Sequence, residues 1–430
     1  MQGFLFFVKT VRVKGNGSGI TGRGNPTRKG AFFVTKYQLQ AAAFVLVSFM
    51  LGCNEFIVVG IISDIASSLK VSVATVGYLV TVFAIVYAIS TPLITVLTNR
   101  FNRYHTFMAL MIIFLIGNTL TGFATSFPIL VAARLITAVV AGTIESLCIA
   151  ISSVIAPRNK RAILVSWLAA GFSIASVIGV PIGTAISTHL GWQDAFHVIS
   201  LLSLVTCIVL GLLLPRNLKQ PVSGIKDQLV LLTDKRIYLG AALILFTAAT
   251  SYAYYTYVRP LITTTLGFNT SMLNWLLMII GIVSIVSNRL SGTLAEHHGL
   301  KQLPKLYVVD IILLCLFPLA MLNAWSGYGL LLLLTLLVLI GGSPIQIHFL
   351  DVAEADYPQA IALASALNAI FFNVGISLGS ATASGVLQTA GLTSLGWGAA
   401  LFAVISLGLS VWLNRTNARQ AQRQPAKFSE

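Results

Sequence analysis

Long apolar runs, each about 20 residues and each closed by a short polar cluster, recur along the chain from residue 39 to residue 414. Runs of that length match the ~30 Å hydrocarbon core of a bilayer crossed by a helix rising about 1.5 Å per residue. The pattern predicts helices over 39–62, 74–98, 104–125, 128–156, 162–188 and 195–215, then over 237–266, 272–295, 302–323, 327–350, 359–389 and 393–414. The expected fold class is therefore all-α, a polytopic membrane protein with twelve transmembrane helices.

The longest polar interruption inside the chain, "PRNLKQPVSGIKDQLVLLTDKR" at 215–236, divides six spans from six. It predicts a six-helix half over 39–215, a linker over 216–236, a second half over 237–414 and a tail over 415–430, preceded by a basic, Gly- and Ser-rich flexible extension over 1–38. Halves of this kind point to an internal repeat, a construction that places solute sites near the bilayer midplane. The loop "TVLTNRFNRYH" (95–105) and the loop "GTLAEHHGLKQL" (292–303) occupy the same ordinal place in each half and share the pattern small-x-Leu-small-polar-basic. Arg100 and Arg103 supply basic positions in the first. In the second, Gly292 permits close helix approach, Glu296 sits at a helix end and Gly299 allows a tight turn.

Composition agrees with the pattern: 57% of residues are hydrophobic and 9% charged, against about 25% charged in an ordinary soluble domain. The net charge of +15 would on its own suggest nucleic acid, so its placement decides the matter. Of the 27 Lys and Arg, only Lys70 lies in a loop on one side and only Arg134, Arg259 and Arg289 lie inside spans. The others gather in the tails and at the loops of the opposite side. That asymmetry is the positive-inside rule; it predicts both termini in the cytoplasm and removes the case for a nucleic-acid partner. "MQGFLFFVKT" has too short an apolar core for a signal peptide. Cys53, Cys148, Cys207 and Cys315 fall inside predicted spans without metal-ligand spacing, so they read as packing residues, with no metal and no cofactor expected.

Several segments resemble the major facilitator superfamily, in the form of the bacterial drug:proton antiporter group that includes arabinose and other sugar efflux proteins and a purine efflux protein. The resemblance is carried by "GCNEFIVVGIISDIA" in the first span, "LVAARLITAVVAG" in the fourth, "GFSIASVIGVPIGT" in the fifth with "GWQDAF" after it, "YYTYVRPLI" in the seventh and "ALNAIFFNVGISLGS" in the eleventh, and runs from about residue 39 to about residue 414. The chain departs from the family pattern at Asn99, where Asp is usual, at Asn102, where Gly is usual, and at Gln193, where Arg is usual. Those departures move the expected gating role from the first loop to Glu296. The resemblance implies the major facilitator fold and a monomeric carrier in the cytoplasmic (inner) membrane, exchanging a small organic solute for protons by alternating access.

Ionisable groups inside spans are costly, about 2.5–3.5 kcal/mol even on lenient scales, and so are functional candidates. Glu55 and Arg134 fall roughly 10 Å and 9 Å below the outer ends of their predicted spans at 1.5 Å per residue. If the first and fourth spans face one cavity, as the resemblance implies, the two compensate each other, either as a proton-controlled switch or as a permanent brace. Glu145 is a second candidate proton carrier. Asn54, Tyr252, Tyr255, Asn368 and Asn373 are candidate solute contacts, against the alternatives of an interfacial aromatic belt for the tyrosines and helix-gluing amides for the asparagines. Gly171, Gly179, Pro181 and Gly183 in the fifth span, like Gly375 and Gly379 in the eleventh, read as close packing and bending. Arg259 is expected to snorkel to water or headgroups, and His348, Asp351 and Glu354 to lie near the cytoplasmic surface.

The chain contains no GxxxxGK[ST] loop, which speaks against direct ATP drive and for an ion gradient. Sparse charge with tyrosines and asparagines favours a neutral, hydroxyl-rich or amphiphilic solute. The rivals are a proton-coupled uptake carrier or purine/nucleoside exporter on the same scaffold and, more remotely, an intramembrane enzyme built on His348 with Asp351 or His189 with Asp194. Neither pair has a GxSxG or HExxH context, so the expectation is no enzyme.

Overall fold

The computed structural model of the chain describes residues 36–98, 101–157, 160–218, 230–296 and 299–423. Most of the predicted extension, the middle of the predicted linker, the end of the tail, Arg100 and the side chain of Glu296 lie outside the described residues.

Among the described residues every regular element is helical. The first half of the order is α1 (Lys36–Leu69), α2 (Val73–Thr98), α3 (Arg103–Gly122), α4 (Phe127–Ile155), α5 (161–189) and α6 (Trp192–Leu213). Then follow α7 (Lys235–Tyr255), α8 (Thr270–Glu296), α9 (Gly299–Cys315), α10 (Ala324–Asp356), α11 (Ile361–Ala390) and α12 (Leu395–Arg423). Eleven helices among the described residues are long and apolar enough to cross a membrane. The remaining predicted span, 302–323, is built as α9 and a short helix Phe317–Ala320, interrupted at Leu316.

That interruption has a common cause with three others. α5 passes through a π turn at Ala175–Gly179 ahead of Pro181, α7 breaks at Thr256–Tyr257 ahead of Pro260, α9 breaks ahead of Pro318, and α10 tightens at Leu339–Gly341 ahead of Pro344. In each case proline lacks the N–H that the carbonyl four residues back would accept, and the preceding turn rearranges. At α10 the orphaned carbonyl is satisfied: Ser291 Oγ on α8 donates to the Ile340 carbonyl at 2.7 Å and accepts from the Ser343 N–H at 2.9 Å.

α1 runs seven residues past the predicted end of its span. Hydropathy marks where the apolar run stops, but the helix continues through Ser63 and Asp64 to a Schellman cap. The Val71 N–H reaches the Ala66 carbonyl at 3.0 Å around Lys70, which takes a left-handed φ of 54°.

Among the close helix approaches, two pairs hold the same places in each six-helix set. On α5, a Cβ added at Gly171 would lie 2.8 Å from the Val45 carbonyl oxygen and one at Gly179 would lie 2.5 Å from Cys53 Sγ; Gly183 is closed by Ile57. Gly52 on α1 returns the contact, with a Cβ there 2.7 Å from that of Ala175. On α11, Gly375 and Gly379 lie against the Leu245 and Ala249 carbonyls of α7. Large apolar side chains such as Ile112, Ile116, Leu201, Ile208 and Ile282 are exposed on the perimeter, the inversion that a lipid solvent requires. Cys53, Cys148 and Cys207 are buried, whereas Cys315 is exposed and takes no part in core packing.

Candidate functional site

A cavity of about 700 Å³ lies between a wall made by α1, α2, α4 and α5 and a wall made by α7, α8, α10 and α11. Its deep end is formed by Glu55, Tyr252 and Asn373, and a narrow cleft continues from there past Phe83 to Arg134. Its other end runs out along Asn288, Gly292 and Gln346, toward the ends of α8 and α10 on the face that carries Lys36 and Arg423.

The opposite end is closed by contacts between the two walls. Arg259, 6% exposed, donates through Nη2 to Asp64 Oδ1 at 2.6 Å and through Nη1 to Asp64 Oδ2 at 2.7 Å and to the Gly60 carbonyl at 2.8 Å. Ser187 at the end of α5 adds a hydrogen bond to the same carboxylate. Beside them, Thr81 on α2 and Ser380 on α11 share a hydroxyl hydrogen bond of 2.8 Å. Tyr257 and Ser384 share another at 2.7 Å, against Gly77 of α2. Arg259 therefore does not snorkel outward; a bidentate carboxylate and a carbonyl satisfy it within the protein. Asp64 lies two residues beyond Ile62, the predicted end of the first span, so hydropathy does not mark it as an acid within a span.

The predicted Glu55–Arg134 pair is not formed. Arg134, 2% exposed, donates from Nη1 to Asn54 Oδ1 at 2.7 Å, and its guanidinium lies 4.2 Å from the centre of the Phe83 ring and 5.6 Å from that of Phe196. Neighbouring residues on a helix point roughly 100° apart, so the amide of Asn54 meets the arginine while Glu55 turns into the cavity. Asn54, fully buried in that contact, is not on the cavity wall and is withdrawn as a solute contact. Glu145 does reach the cavity, where Tyr87 donates to its Oε2 at 2.5 Å. Tyr87 lies outside the residues the sequence singles out, where its only mark is a hydroxyl-bearing ring inside an apolar span.

The second wall is aromatic and amide-bearing. Tyr252 meets Tyr255 edge-on with ring centres 5.8 Å apart and meets Phe372 at 6.3 Å. Both tyrosines line the cavity rather than a lipid-facing belt. Asn368 and Asn373 also line it, and each presents a buried side-chain oxygen without a hydrogen-bond partner. Two carboxylates thus reach the space, bordered by Asn368 and Asn373, whose side-chain oxygens are themselves buried. Among the described residues its lining includes no Lys, Arg or His.

The other candidates divide. Gly292 has nothing within 4 Å of an added Cβ, so it lines the cavity without permitting a close helix approach; Gly299 is crowded by the Leu294 carbonyl and Pro344. Arg103 follows an N-cap at Asn102, whose side chain accepts from the Tyr104 N–H at 2.8 Å and donates to the Arg216 carbonyl at 2.9 Å. This ties the start of α3 to the segment after α6. His348 is buried, 6% exposed, instead of lying at a wet helix end, while Asp351 and Glu354 are exposed. Asp194 pairs with His197 at 3.0 Å and not with His189. Neither enzyme constellation is assembled, and among the described residues no His, Cys, Asp and Glu group could hold a metal ion.

Comparison with known proteins bears on the same architecture. The family model described as Major Facilitator Superfamily matches residues 44–380. The chain is 31% identical over 383 residues to the uncharacterized MFS-type transporter YtbD of Bacillus subtilis (strain 168), covering 88% of this chain and 96% of that one. It is 28% identical over 380 residues to the uncharacterized MFS-type transporter YbcL of the same organism, covering 87% and 96%. Among solved structures, an inward-facing, unoccupied bacterial homolog of the human lysosomal transporter Spinster superposes with a TM-score of 0.73 at 15% identity, over 89% of this chain and 97% of that one. A D-xylose-proton symporter superposes with a TM-score of 0.70 at 14% identity, over 87% and 97%. With the family model matched over residues 44–380 and relatives named as transporters rather than enzymes, on a polytopic helical fold with a central cavity closed at one end, the chain belongs to the major facilitator superfamily and is a membrane transporter.

Proposed function

We propose that the protein is a proton-coupled exporter of a small organic solute, of the drug:proton antiporter type, working as a monomer in the cytoplasmic membrane with both termini inside. The observation that carries this reading is the cavity itself: it opens toward the face of the termini, its first wall presents Glu55 and Glu145, and its far end is latched across the two walls by Asp64–Arg259. An exporter gathers its cargo in that state. The two six-helix halves, 39–215 and 237–414, would rock about this cavity, and the matching α1–α5 and α7–α11 close approaches support treating each as a rigid unit.

Of the sugar and drug-like solutes in view, the wall favours the second. Carboxylates at Glu55 and Glu145, with no basic side chain among the described lining residues, suit a solute that donates hydrogen bonds or carries positive charge, and the faces of Tyr252, Tyr255 and Phe372 suit a flat or cationic body. Protons and such a solute would compete for the carboxylates, which is sufficient to couple their opposite movements.

The test is transport in vesicles of purified protein with an imposed pH gradient, screening labelled cationic drugs, sugars and nucleosides in both directions. Glu55→Gln is expected to abolish accumulation driven by the pH gradient while leaving solute exchange in place. Unchanged gradient-driven transport by Glu55→Gln would remove Glu55 from the coupling, and gradient-driven movement only in the opposite direction would replace export by uptake.

A further inference from the structure

A second intraspan acid stands apart from the cavity. Asp310 lies on α9 in the sequence "YVVDIILLC", about 16 Å along the helix from Gly299 at 1.5 Å per residue, near the middle of a bilayer. It is 2% exposed, and both carboxylate oxygens are buried without a hydrogen-bond partner. An isolated ionised carboxylate in such surroundings is very costly, whereas the neutral acid is tolerable. A helix that needed only packing at this place would be served better by Leu or Asn.

The surroundings provide a route. Asp310 borders a void of about 10 Å³ shared with Tyr307, Leu303, Leu306, Leu337 and Gly341, on the order of the space that one water needs. Tyr307, one turn earlier on α9, exchanges a hydroxyl hydrogen bond with Thr247 of α7, and Thr247 lines the central cavity. Gly341 belongs to the tightened turn of α10, whose neighbours Leu339 and Gly342 line the cavity from the other side. A Cβ at Gly341 would approach the Tyr307 hydroxyl at 3.4 Å, so this turn adjoins the same polar thread. The titratable groups facing Asp310 are Tyr307 on its own helix and Tyr254 from α7. Arg289, His348, Asp351, Glu354, Arg415 and Arg419 on the packed helices α8, α10 and α12 lie in the portions nearer the terminal face, as do Lys301 and Lys305 on α9 itself.

We propose that Asp310 is a second proton-binding site of the transporter, in the second half, filled and emptied from the central cavity through Thr247, Tyr307 and the water-sized void. In one step the Thr247 hydroxyl turns from the Leu243 carbonyl and a proton moves from cavity water along the Thr247 and Tyr307 hydroxyls to a carboxylate oxygen of Asp310. Each hydroxyl gives up its own proton as it takes the next, so that both stay neutral with their orientation reversed. The reverse step returns it. The site rests on the proposed proton coupling for its role in transport, but not for its existence.

Infrared titration of the purified protein in detergent separates the two. Subtracting the Asp310→Asn spectra from wild type should isolate one protonated-carboxyl band that disappears reversibly as pH is raised, and Tyr307→Phe should slow its hydrogen–deuterium exchange by tenfold or more. In vesicles, Asp310→Asn should move one proton fewer per solute, with Glu55 still in place. A band that is absent from the difference spectrum, or that persists unchanged at every pH at which the protein stays folded, would overturn the site. A titrating band with no change in proton stoichiometry would also overturn its transport role, and wild-type transport without any proton movement would instead sink the exporter reading while leaving the infrared result standing. If Asp310→Asn does not fold, Asp310→Glu is measured in its place and should shift the titration midpoint.

Discussion

Two buried arginines in this protein are compensated in opposite ways. Arg134 rests inside the first wall, with one hydrogen bond to the neutral amide of Asn54 and aromatic faces at Phe83 and Phe196. Arg259 crosses to the other wall and holds the charged Asp64 with two hydrogen bonds at the closed end of the cavity. A cation held by an amide and two rings gains from contacts that move with it, so it braces one body. A cation held by a carboxylate across a seam is different, because both partners regain water when the seam opens. The second arrangement is the one that can be made and broken in a cycle.

The largest effect that would test this contrast is expected at Arg134. Arg134→Ala removes a fully buried side chain from between two rings and leaves the Asn54 oxygen without its donor, which together cost about 3 to 4 kcal/mol. Thermal unfolding in detergent should fall accordingly, while the balance between the two open states stays put. A marked gain in labelling of a cysteine placed at Ser384, on the closed face, would show that Arg134 also controls opening and would erase the distinction.

Arg259→Ala should do the reverse. Asp64 keeps about a quarter of its side-chain surface exposed, so the loss is set below the ~3–5 kcal/mol of a fully buried pair, at about 2 kcal/mol, or roughly 30-fold in the population of the closed end. Labelling at Ser384→Cys should rise by that order with little change in unfolding temperature. Exchanging the two charges, Asp64→Arg with Arg259→Asp, should restore much of the closure if the attraction itself is what matters.

How these two arginines were legible in the sequence follows from what hydropathy measures. It locates a residue along the bilayer normal, and by that measure Glu55 and Arg134 matched. It does not give the rotation of a helix about its axis, and one residue of rotation hands Arg134 to Asn54. The apolar run of α1 stops at Ile62, so hydropathy places Asp64 in a loop and shows Arg259 no partner. Asp310 in "YVVDIILLC" is an acid alone in an apolar run, the same local pattern that marks Glu55, so the sequence does contain its signal. The spans themselves, the Pro-linked bends and the small residues of α5 and α11 depend on local composition, which a single sequence does contain.

The smallest test uses a third arginine, outside the membrane-spanning part of the contrast. At the start of α7, Asp234 caps the helix by accepting from the Arg236 N–H at 2.8 Å and takes the Arg236 guanidinium at 2.6 Å, while Arg236 also reaches Asp356 at the end of α10. Burial alone would raise the Asp234 carboxyl, but the side-chain and backbone hydrogen bonds of Arg236, its charge and the Tyr357 hydroxyl together hold it below its ordinary value. A carboxyl lowered on folding contributes stability that is present above its unfolded value, near pH 4, and is lost as pH falls through the folded one. Asp234→Asn keeps a competent cap and removes the charge, so it should cost about 1 kcal/mol at neutral pH. The difference from wild type should shrink in acid, below about pH 4. Because this pair ties α7 to α10 within one six-helix set, Ser384→Cys labelling should not move with it. Labelling that did follow Asp234→Asn would mean that charge pairs within a wall also govern opening, and the separation between bracing and latching arginines would fail.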